Sequence, residues 1–205
     1  NALNILTQQA SRVGGIDLGI FMINENDNFT FFNKLNDNKF KFIYLLGADK
    51  INFKKGDKFI VYQGSHGDKG AEIADIVLPG AAYTEKNGMF INLEGRLQNA
   101  YKASYPPGDA QEDWIIFKDL ASLMKKSLGF NNQRQLRELI NKDIQNKNIN
   151  NLKNNISINF VKESITVKPV DYYFTNSIAR SSKVMSECRQ ISKNFLFTGN
   201  EKTKQ

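Results

Sequence analysis

The chain has 205 residues, of which 40% are hydrophobic and 24% charged, and its formal net charge is +7. This length suits one mid-sized domain, or one domain with an appended arm. The single cysteine, Cys188, excludes an internal disulfide and any iron–sulfur cluster that needs several thiolates from this chain. The single histidine, His66, excludes a multi-histidine zinc site. No run approaches the roughly 18 uninterrupted apolar residues of a membrane-spanning helix.

The positive charge lies in the C-terminal two-fifths. Residues 1–124 carry 13 Lys/Arg and 15 Asp/Glu, whereas residues 125–205 carry 15 and 6. Such a segment can bind nucleic acid, an anionic membrane face or an acidic protein, and a solvated basic surface explains it equally well. The basic residues are dispersed and no paired aromatic stacking motif accompanies them, so the pattern lacks the usual signs of a nucleic-acid site.

In chain order, apolar residues at helical spacing predict a first helix over residues 3–13 that Gly14 and Gly15 end. The Asn-rich residues 24–38 are predicted to be a surface excursion. The next segments are short and apolar on both faces, which is typical of strands in a covered parallel sheet, and a pair of extended segments joined by a turn follows. The predicted strands are residues 40–46, 58–63, 75–79, 89–92 and 96–98.

Two amphipathic helices are predicted next. Asp109 and Glu112 form a capping-box pattern for the first of them, and its apolar face is predicted to be core packing. Residues 132–145 give the second, followed by a low-complexity linker near 146–159, an extended segment over 165–172 and a last helix over 177–191. The apolar positions are Trp114, Phe117, Leu120, Ala121 and Met124 in the first helix, and Leu136, Leu139, Ile140 and Ile144 in the second.

These elements predict an α/β fold with a Rossmann-like, mostly parallel sheet flanked by helices. Residues 1–130 form that α/β portion. Residues 131–205 form a basic arm of helical and extended segments, with the Asn-rich linker inside it.

The most suggestive local motif is the glycine-rich loop, residues 64–70, with sequence GSHGDKG after a buried strand. Backbone N–H groups at such a position can bind a phosphate. The G-x-x-G-x-x-G spacing matches neither the dinucleotide fingerprint nor a P-loop, so a turn that needs positive φ at several glycines is the favoured interpretation.

Other candidates for chemistry are sparse. His66 lies near Asp68, Glu72 and Asp75 in sequence, but one imidazole makes a zinc site implausible, and a loop histidine bonded to backbone is favoured. Cys188 lies in phase with the apolar positions of the last helix, which predicts a buried small hydrophobe rather than a nucleophile. The residues alone therefore indicate no catalytic residue.

The segment DIVLPGAAYTEKNGMFINLEGRLQ, residues 75–98, resembles the molybdopterin oxidoreductase superfamily. Extended back through VYQGSHGDKGAEIA, it is similar to one family within it, the large iron–sulfur subunits of NADH:ubiquinone oxidoreductase (respiratory complex I). LLGAD at 45–49, PPGDAQEDW at 106–114 and DYYFTNSIARSSKVMSEC at 171–188 agree with that family in the same order.

The resemblance implies the C-terminal part of such a subunit, mitochondrial and consistent with a separately encoded piece. In that family the cluster-binding cysteines lie upstream of this part, so the chain is expected to have no catalytic, cofactor-binding or metal-binding residue. As part of the complex it would belong to an H+-translocating NADH:ubiquinone reductase while being itself non-catalytic. The expected partners are other matrix-arm subunits, above all the cluster-bearing N-terminal half, with no nucleic acid and no membrane span, on the matrix side of the inner membrane.

Two alternatives stay open. One is a stand-alone fragment that binds a molybdopterin nucleotide through residues 64–70 and 94–96. The other is a basic RNA-binding mitochondrial protein that uses residues 125–205, for which affinity would fall steeply with salt.

Overall fold

The computed structural model is built around a three-stranded parallel sheet, with helices and an antiparallel hairpin packed around it. This architecture confirms the predicted α/β class with a mostly parallel sheet. The structure describes residues 12–20, 34–36, 39–48, 53–148 and 171–194.

The predicted strands are confirmed with small shifts at their ends. The parallel strands lie side by side in chain order, with β2 in the centre. The strands are β1 (Phe42–Leu46), β2 (Phe59–Gly64), β3 (Ile76–Pro79), β4 (Gly88–Ile91) and β5 (Leu97–Ala100). The helices are α1 (Arg12–Asp17), α2 (Lys69–Ile73), α3 (Asp113–Leu123), α4 (Gln133–Asn148), α5 (Ser177–Ser181) and α6 (Lys183–Asn194).

Consecutive strand residues point to opposite faces, so the parallel sheet has two faces, which are named here after the helices that cover them. The register pairs Phe42 with Phe59 and Val61 with Ile76. The α2 face carries Ile43, Leu45, Ile60, Tyr62 and Val77. The α3 face carries Phe42, Tyr44, Leu46, Phe59, Val61, Gln63, Ile76 and Leu78.

The α2 face holds the apolar core. Leu45, Ile60 and Tyr62 are buried, and residues from both connections between parallel strands pack on them. Phe53 comes from the β1–β2 connection, and Ala71 belongs to α2 in the β2–β3 connection. Both connections therefore cross the same face of the sheet.

The α3 face is covered by one helix. The ring of Phe117 lies against that of Tyr44 with centroids 5.5 Å apart. Val61 and Gln63 are buried beneath α3, whereas apolar side chains at the margins of this face are exposed. The helical stripe predicted as core is only partly so, because Leu120 and Met124 are exposed where nothing in the described part of the chain covers α3.

The hairpin β4–β5 packs with α1 and α4. Its turn, predicted at residues 93–95, is closed by the Asn92 side-chain oxygen, which accepts N–H bonds from Glu94 (3.0 Å) and Arg96 (2.9 Å). Gly95 supplies the positive φ of the turn. On α4, Ile144 is buried as predicted, but Leu139 is exposed, so the apolar side of this helix is narrower than predicted.

Two predicted helix ends are wrong. The first helix does not stop at Gly14 and Gly15 but continues to Asp17. It ends in a Schellman arrangement in which Gly19 has φ 73° and Ile20 N–H reaches the Gly15 carbonyl at 2.8 Å. A glycine pair inside a helix costs propensity, but the glycine at positive φ sets the end.

The Asp109–Glu112 capping box is also wrong. Gln111 bridges to Gly80, with its carbonyl accepting the Ala81 N–H at 2.8 Å, which keeps the chain extended past Asp109. The N-cap of α3 is Glu112, whose carboxylate makes no capping bond and instead accepts from Trp114 Nε1 at 2.9 Å.

The last predicted helix is two helices. Ser182 is extended between α5 and α6, and its hydroxyl accepts the Met185 N–H at 3.3 Å, so one residue ends the first helix and begins the second. Cys188 is half-buried on α6 rather than fully buried, and Ile191 is exposed.

Several predictions concern residues that the structure does not describe. They include most of the first helix, the linker beyond residue 148, the extended segment up to residue 170 and the chain end. In the predicted surface excursion, residues 34–36 are helical and Leu35 is buried. The division at residue 130 stays a prediction.

Candidate functional site

The glycine-rich loop follows β2 as predicted, but positive φ angles do not explain its glycines. None of Gly64, Gly67 and Gly70 has a positive φ. A Cβ on Gly64 would lie 2.3 Å from the Tyr62 hydroxyl oxygen, and one on Gly70 would lie 2.7 Å from the Ala48 carbonyl oxygen. Gly64 and Gly70 are required because the Tyr62 ring fills the space beneath the loop.

Tyr62 also bonds to the loop that it fills. Its hydroxyl donates to the His66 carbonyl at 2.9 Å, and the ring is buried in the α2-face core. The loop is thereby folded around a side chain of its own strand.

Asp68 links this loop to the C-terminal part of the chain. Its carboxylate accepts the Lys69 N–H at 2.8 Å and forms an ion pair with Arg180 of α5. Partial burial alone would raise the pKa of Asp68, but the backbone N–H and the guanidinium outweigh burial and hold it below its usual range. Arg180 also donates to the Phe174 carbonyl at 3.3 Å.

The acidic residues near His66 do not converge. Asp75 accepts from Lys55 at 2.5 Å and from the Ile60 N–H at 2.8 Å, and these bonds lower the pKa of its carboxyl. His66 Nδ1 lies 3.0 Å from the Ser65 hydroxyl. In the part of the chain that the structure describes, no group of three or more His, Cys, Asp or Glu is placed to hold a metal ion.

Sequence reasoning missed a polar network on the α3 face. Tyr44 donates to Gln63 Oε1, Gln63 Nε2 donates to Asp113 at 2.8 Å, and Lys86 donates to the other Asp113 oxygen. Burial, and secondarily the Asp113 carboxylate, raises the pKa of Tyr44. A glutamine in an otherwise apolar strand was the available signal, because a fully buried amide requires partners.

The cavity between α1, the hairpin and α4 has a volume of about 320 Å³. Its walls are mainly apolar, and Arg137 is the charged residue among them. Nη2 of Arg137 is buried without a hydrogen-bond partner. Among the described residues that line this cavity, a single guanidinium offers no acid–base pair.

Comparison with known proteins gives two family matches along the chain. The molybdopterin oxidoreductase family matches residues 1–123. The chain belongs to this family. A second family model, the C-terminal region of the G subunit of NADH-ubiquinone oxidoreductase, matches residues 142–188. The molybdopterin oxidoreductase match therefore covers the sheet, the hairpin and α3.

Its relatives carry consistent names. The chain is 39% identical to the NADH-ubiquinone oxidoreductase 75 kDa subunit of Reclinomonas americana over 94% of its own length and 29% of the relative's. It is 38% identical to the mitochondrial 78 kDa subunit of Candida albicans, covering 92% and 27%, respectively. It is 40% identical to the G subunit of the NADH-quinone oxidoreductase of Rickettsia bellii, over 98% of its own length and 30% of the relative's. The chain thus spans less than a third of these relatives.

The cofactor that the molybdopterin oxidoreductase family name implies does not fit the glycine-rich loop. The Tyr62 ring fills the loop, and Asp68 places a carboxylate at the start of α2, where a phosphate would have to lie. The other segment considered, residues 94–96, is a solvated hairpin turn whose N–H groups bond to Asn92. The chain also cannot supply all the thiolates of a four-cysteine iron–sulfur cluster, because it has a single cysteine.

In this family member the basic C-terminal residues are partly engaged with carboxylates. Arg180 pairs with Asp68, and Arg189 pairs with Asp171 at 2.6 Å while lying over the Phe174 ring. Arg134 and Lys183 each face a glutamate one turn along their own helix. The first two pairs join α5 and α6 to other segments, whereas the last two lie within single helices. No helix within the described residues is long and apolar enough to cross a membrane.

Proposed function

We propose that this chain is a structural segment of the large iron–sulfur subunit of respiratory complex I and contributes no redox centre of its own. The observation that carries the proposal is the order of two family matches along one chain. A molybdopterin oxidoreductase region is followed by the C-terminal region of the NADH-ubiquinone oxidoreductase G subunit. Relatives about 40% identical along nearly the whole chain carry names of the same subunit.

In this proposal the clusters that carry electrons from NADH to ubiquinone lie on the rest of the subunit. That remainder is the chain's main partner, and other subunits of the matrix arm of an H+-translocating NADH:ubiquinone reductase surround both. The chain lies on the matrix side of the mitochondrial inner membrane, and its role is to hold the cluster-bearing part in place.

The structural role is supported by the contacts that fill the glycine-rich loop, where a cofactor phosphate would be expected to bind. The loop after β2 is filled by Tyr62 and closed by the Asp68–Arg180 ion pair. Gln63 and Asp113 are used to tie α3 to the sheet. These polar groups thus stabilise the fold of the described residues.

The first test is native separation of complexes from the source mitochondria in mild detergent. The chain is expected to co-migrate with NADH dehydrogenase activity and with a cluster-bearing polypeptide, both identified from the same band. A small free species without that activity contradicts the proposal.

A second test addresses the absence of a redox role. Cys188→Ser removes the only thiol, and every iron–sulfur signal in the electron paramagnetic resonance spectrum of the purified complex should persist. Loss of one cluster signal, with the assembly still intact, would show that this chain ligates a cluster.

A further inference from the structure

The α3 face exposes a row of large apolar side chains. Phe42, Leu46, Phe59 and Ile76 are 57%, 51%, 46% and 44% exposed, although all lie on the strands of the central sheet. The rings of Phe42 and Phe59 stack on each other at 6.2 Å. Large apolar side chains exposed together on one face of a sheet mark an interaction site.

The geometry of one helix over three strands explains the exposure. Neighbouring strands lie about 4.8 Å apart, and an α-helix with its side chains is about 10 Å wide, so one helix covers about two strands. Here α3 covers the middle of the face, at Tyr44 and Gln63. The exposed row lies around it, where a second helix would fit.

The two outer edges of the sheet differ. At the carboxyl end of β3, Gln111 bonds to Pro79 (3.2 Å) and to Ala81 (2.8 Å), so that edge is partly covered. On β1, the Lys41 carbonyl and the Gly47 N–H both bond to β2. Because backbone direction alternates along a strand, the N–H and C=O groups of Phe42, Tyr44 and Leu46 point away from β2. Within the described residues β1 is the end strand, and its outer edge is open.

The handedness of the connections between parallel strands determines which face of the sheet is covered by the helices of strands added beyond β1. Connections between adjacent parallel strands are right-handed in about 98% of cases, so strands that advance in one direction place their connections on one face. From β1 to β3 the connections pass over the α2 face. Strands that run outward from β1 advance in the opposite direction, so their helices would lie on the α3 face. This is the doubly wound arrangement.

We infer that the rest of the subunit docks here, by adding a parallel strand to the outer edge of β1 and packing the following amphipathic helix on Phe42, Phe59 and Leu46. The inference rests on the proposed function and identifies the surface through which the partner binds. The occupant is the part of the subunit that this chain does not match, because the chain spans under a third of its relatives and its own connections already bury Leu45, Ile60 and Tyr62 on the other face.

The test is co-expression of the full 205-residue chain, carrying an affinity tag, with the part of the Reclinomonas americana 75 kDa subunit that it does not match. The tagged wild-type chain is expected to retain that polypeptide. The variant Phe42→Ser/Phe59→Ser should reduce the retained amount at least about tenfold, because two large apolar contacts are lost. Tyr105→Ser/Tyr172→Ser, which alters two rings off this face that are 79% and 80% exposed, should retain it as the wild type does.

A second pair of variants separates the edge from the face. Leu46→Pro removes an outward N–H without breaking the β1–β2 ladder, whereas Leu46→Ala removes the side chain alone. The proline variant should bind at least several-fold less than the alanine variant. Each isolated variant should remain folded under the conditions of the binding assay, with a cooperative urea unfolding transition like that of the wild type, which shows that binding and not folding has changed.

Each outcome is decisive. If the wild type retains the partner and the α3-face variants retain it equally, the docking surface is wrong while the proposed function stands. If the wild type retains nothing, both fail. If the chain instead forms a homodimer that the same variants disrupt, the occupant is a second copy and the inference is overturned.

Discussion

The two faces of the parallel sheet are built from the same kinds of side chain, yet one is covered more completely than the other. On the α2 face, the chain's own connections bury Leu45, Ile60 and Tyr62. On the α3 face, a single helix leaves Phe42 and Phe59 about half exposed. Apolar residues on both sides of a strand therefore predict that both sides are covered, but they do not indicate which polypeptide covers them.

The largest expected effect separates the two faces directly. Tyr62→Ala should lower the free energy of unfolding of the chain by about 3–5 kcal/mol, because it empties a fully enclosed position. Phe42→Ala should lower it by less than about 1 kcal/mol, because that ring is already largely in water. Urea unfolding followed by Trp114 fluorescence measures both.

The same substitutions should reverse in rank within the assembly. Phe42→Ala should weaken association with the rest of the subunit, whereas a chain with Tyr62→Ala that still folds should associate normally. If Tyr62→Ala and Phe42→Ala lower the stability of the isolated chain equally, the two faces are equally well covered and the difference between them is wrong.

The next effect tests why the loop beside the α2 face requires glycine at position 70. Gly70→Ala should cost about 1–3 kcal/mol, because the new Cβ would meet the Ala48 carbonyl oxygen and the Tyr62 ring, neither of which can move cheaply. The gain in helix propensity at α2 is smaller than this. Gly67→Ala is the matched control, because its Cβ would meet only the Ala71 methyl at 3.8 Å, and it should change stability by under about 0.5 kcal/mol. Thermal unfolding of the two variants compares them, and similar midpoints would contradict close packing as the reason for the glycine.

Sequence periodicity predicted the strands and the hairpin well because each has a local signal. The apolar runs at β1 and β2 and the turn at Gly95 need no information from distant residues. The start of α3 failed for the opposite reason. A bridge between Gln111 and Gly80, 31 residues apart, keeps the chain extended where the local capping pattern at Asp109 predicted a helix.

The candidate site shows the same division. The glycine spacing of the loop was visible, but its cause is the ring of Tyr62, and spacing alone could not distinguish packing from positive φ. The ion pair between Asp68 and Arg180 joins residues 112 positions apart, so it has no local signature. Long-range pairs of this kind account for most of what sequence reasoning missed.

The third effect concerns the covered part of the α3 face. Gln63→Leu should cost about 1–3 kcal/mol, because the Tyr44 hydroxyl and one Asp113 oxygen, both partly buried, would lose their hydrogen-bond partner. Gln98→Leu, an exposed glutamine on β5, should leave stability nearly unchanged. Urea midpoints of the two variants make the comparison, and a neutral Gln63→Leu would mean that α3 is held by apolar contacts alone.

The smallest effect concerns the ion pair that ties α5 to the closed side of the sheet. Asp68→Asn or Arg180→Gln should cost about 1 kcal/mol, because the pair is partly solvated and Asn can still cap α2. Hydrogen exchange in α5 and α6 should rise, while exchange in β2 stays unchanged.

The pH dependence of this contact follows from the lowered pKa of Asp68 in the folded chain. A carboxyl whose pKa falls on folding contributes stability above its unfolded pKa and loses that contribution as the pH drops through the folded value. Protection of α5 in the wild type should therefore be constant from neutral pH down to about pH 4 and decline below it. Asp68→Asn should lack this step. A wild-type chain whose α5 protection shows no such decline would mean that the contact is held by the Phe174 carbonyl and neighbouring packing, with no contribution from charge.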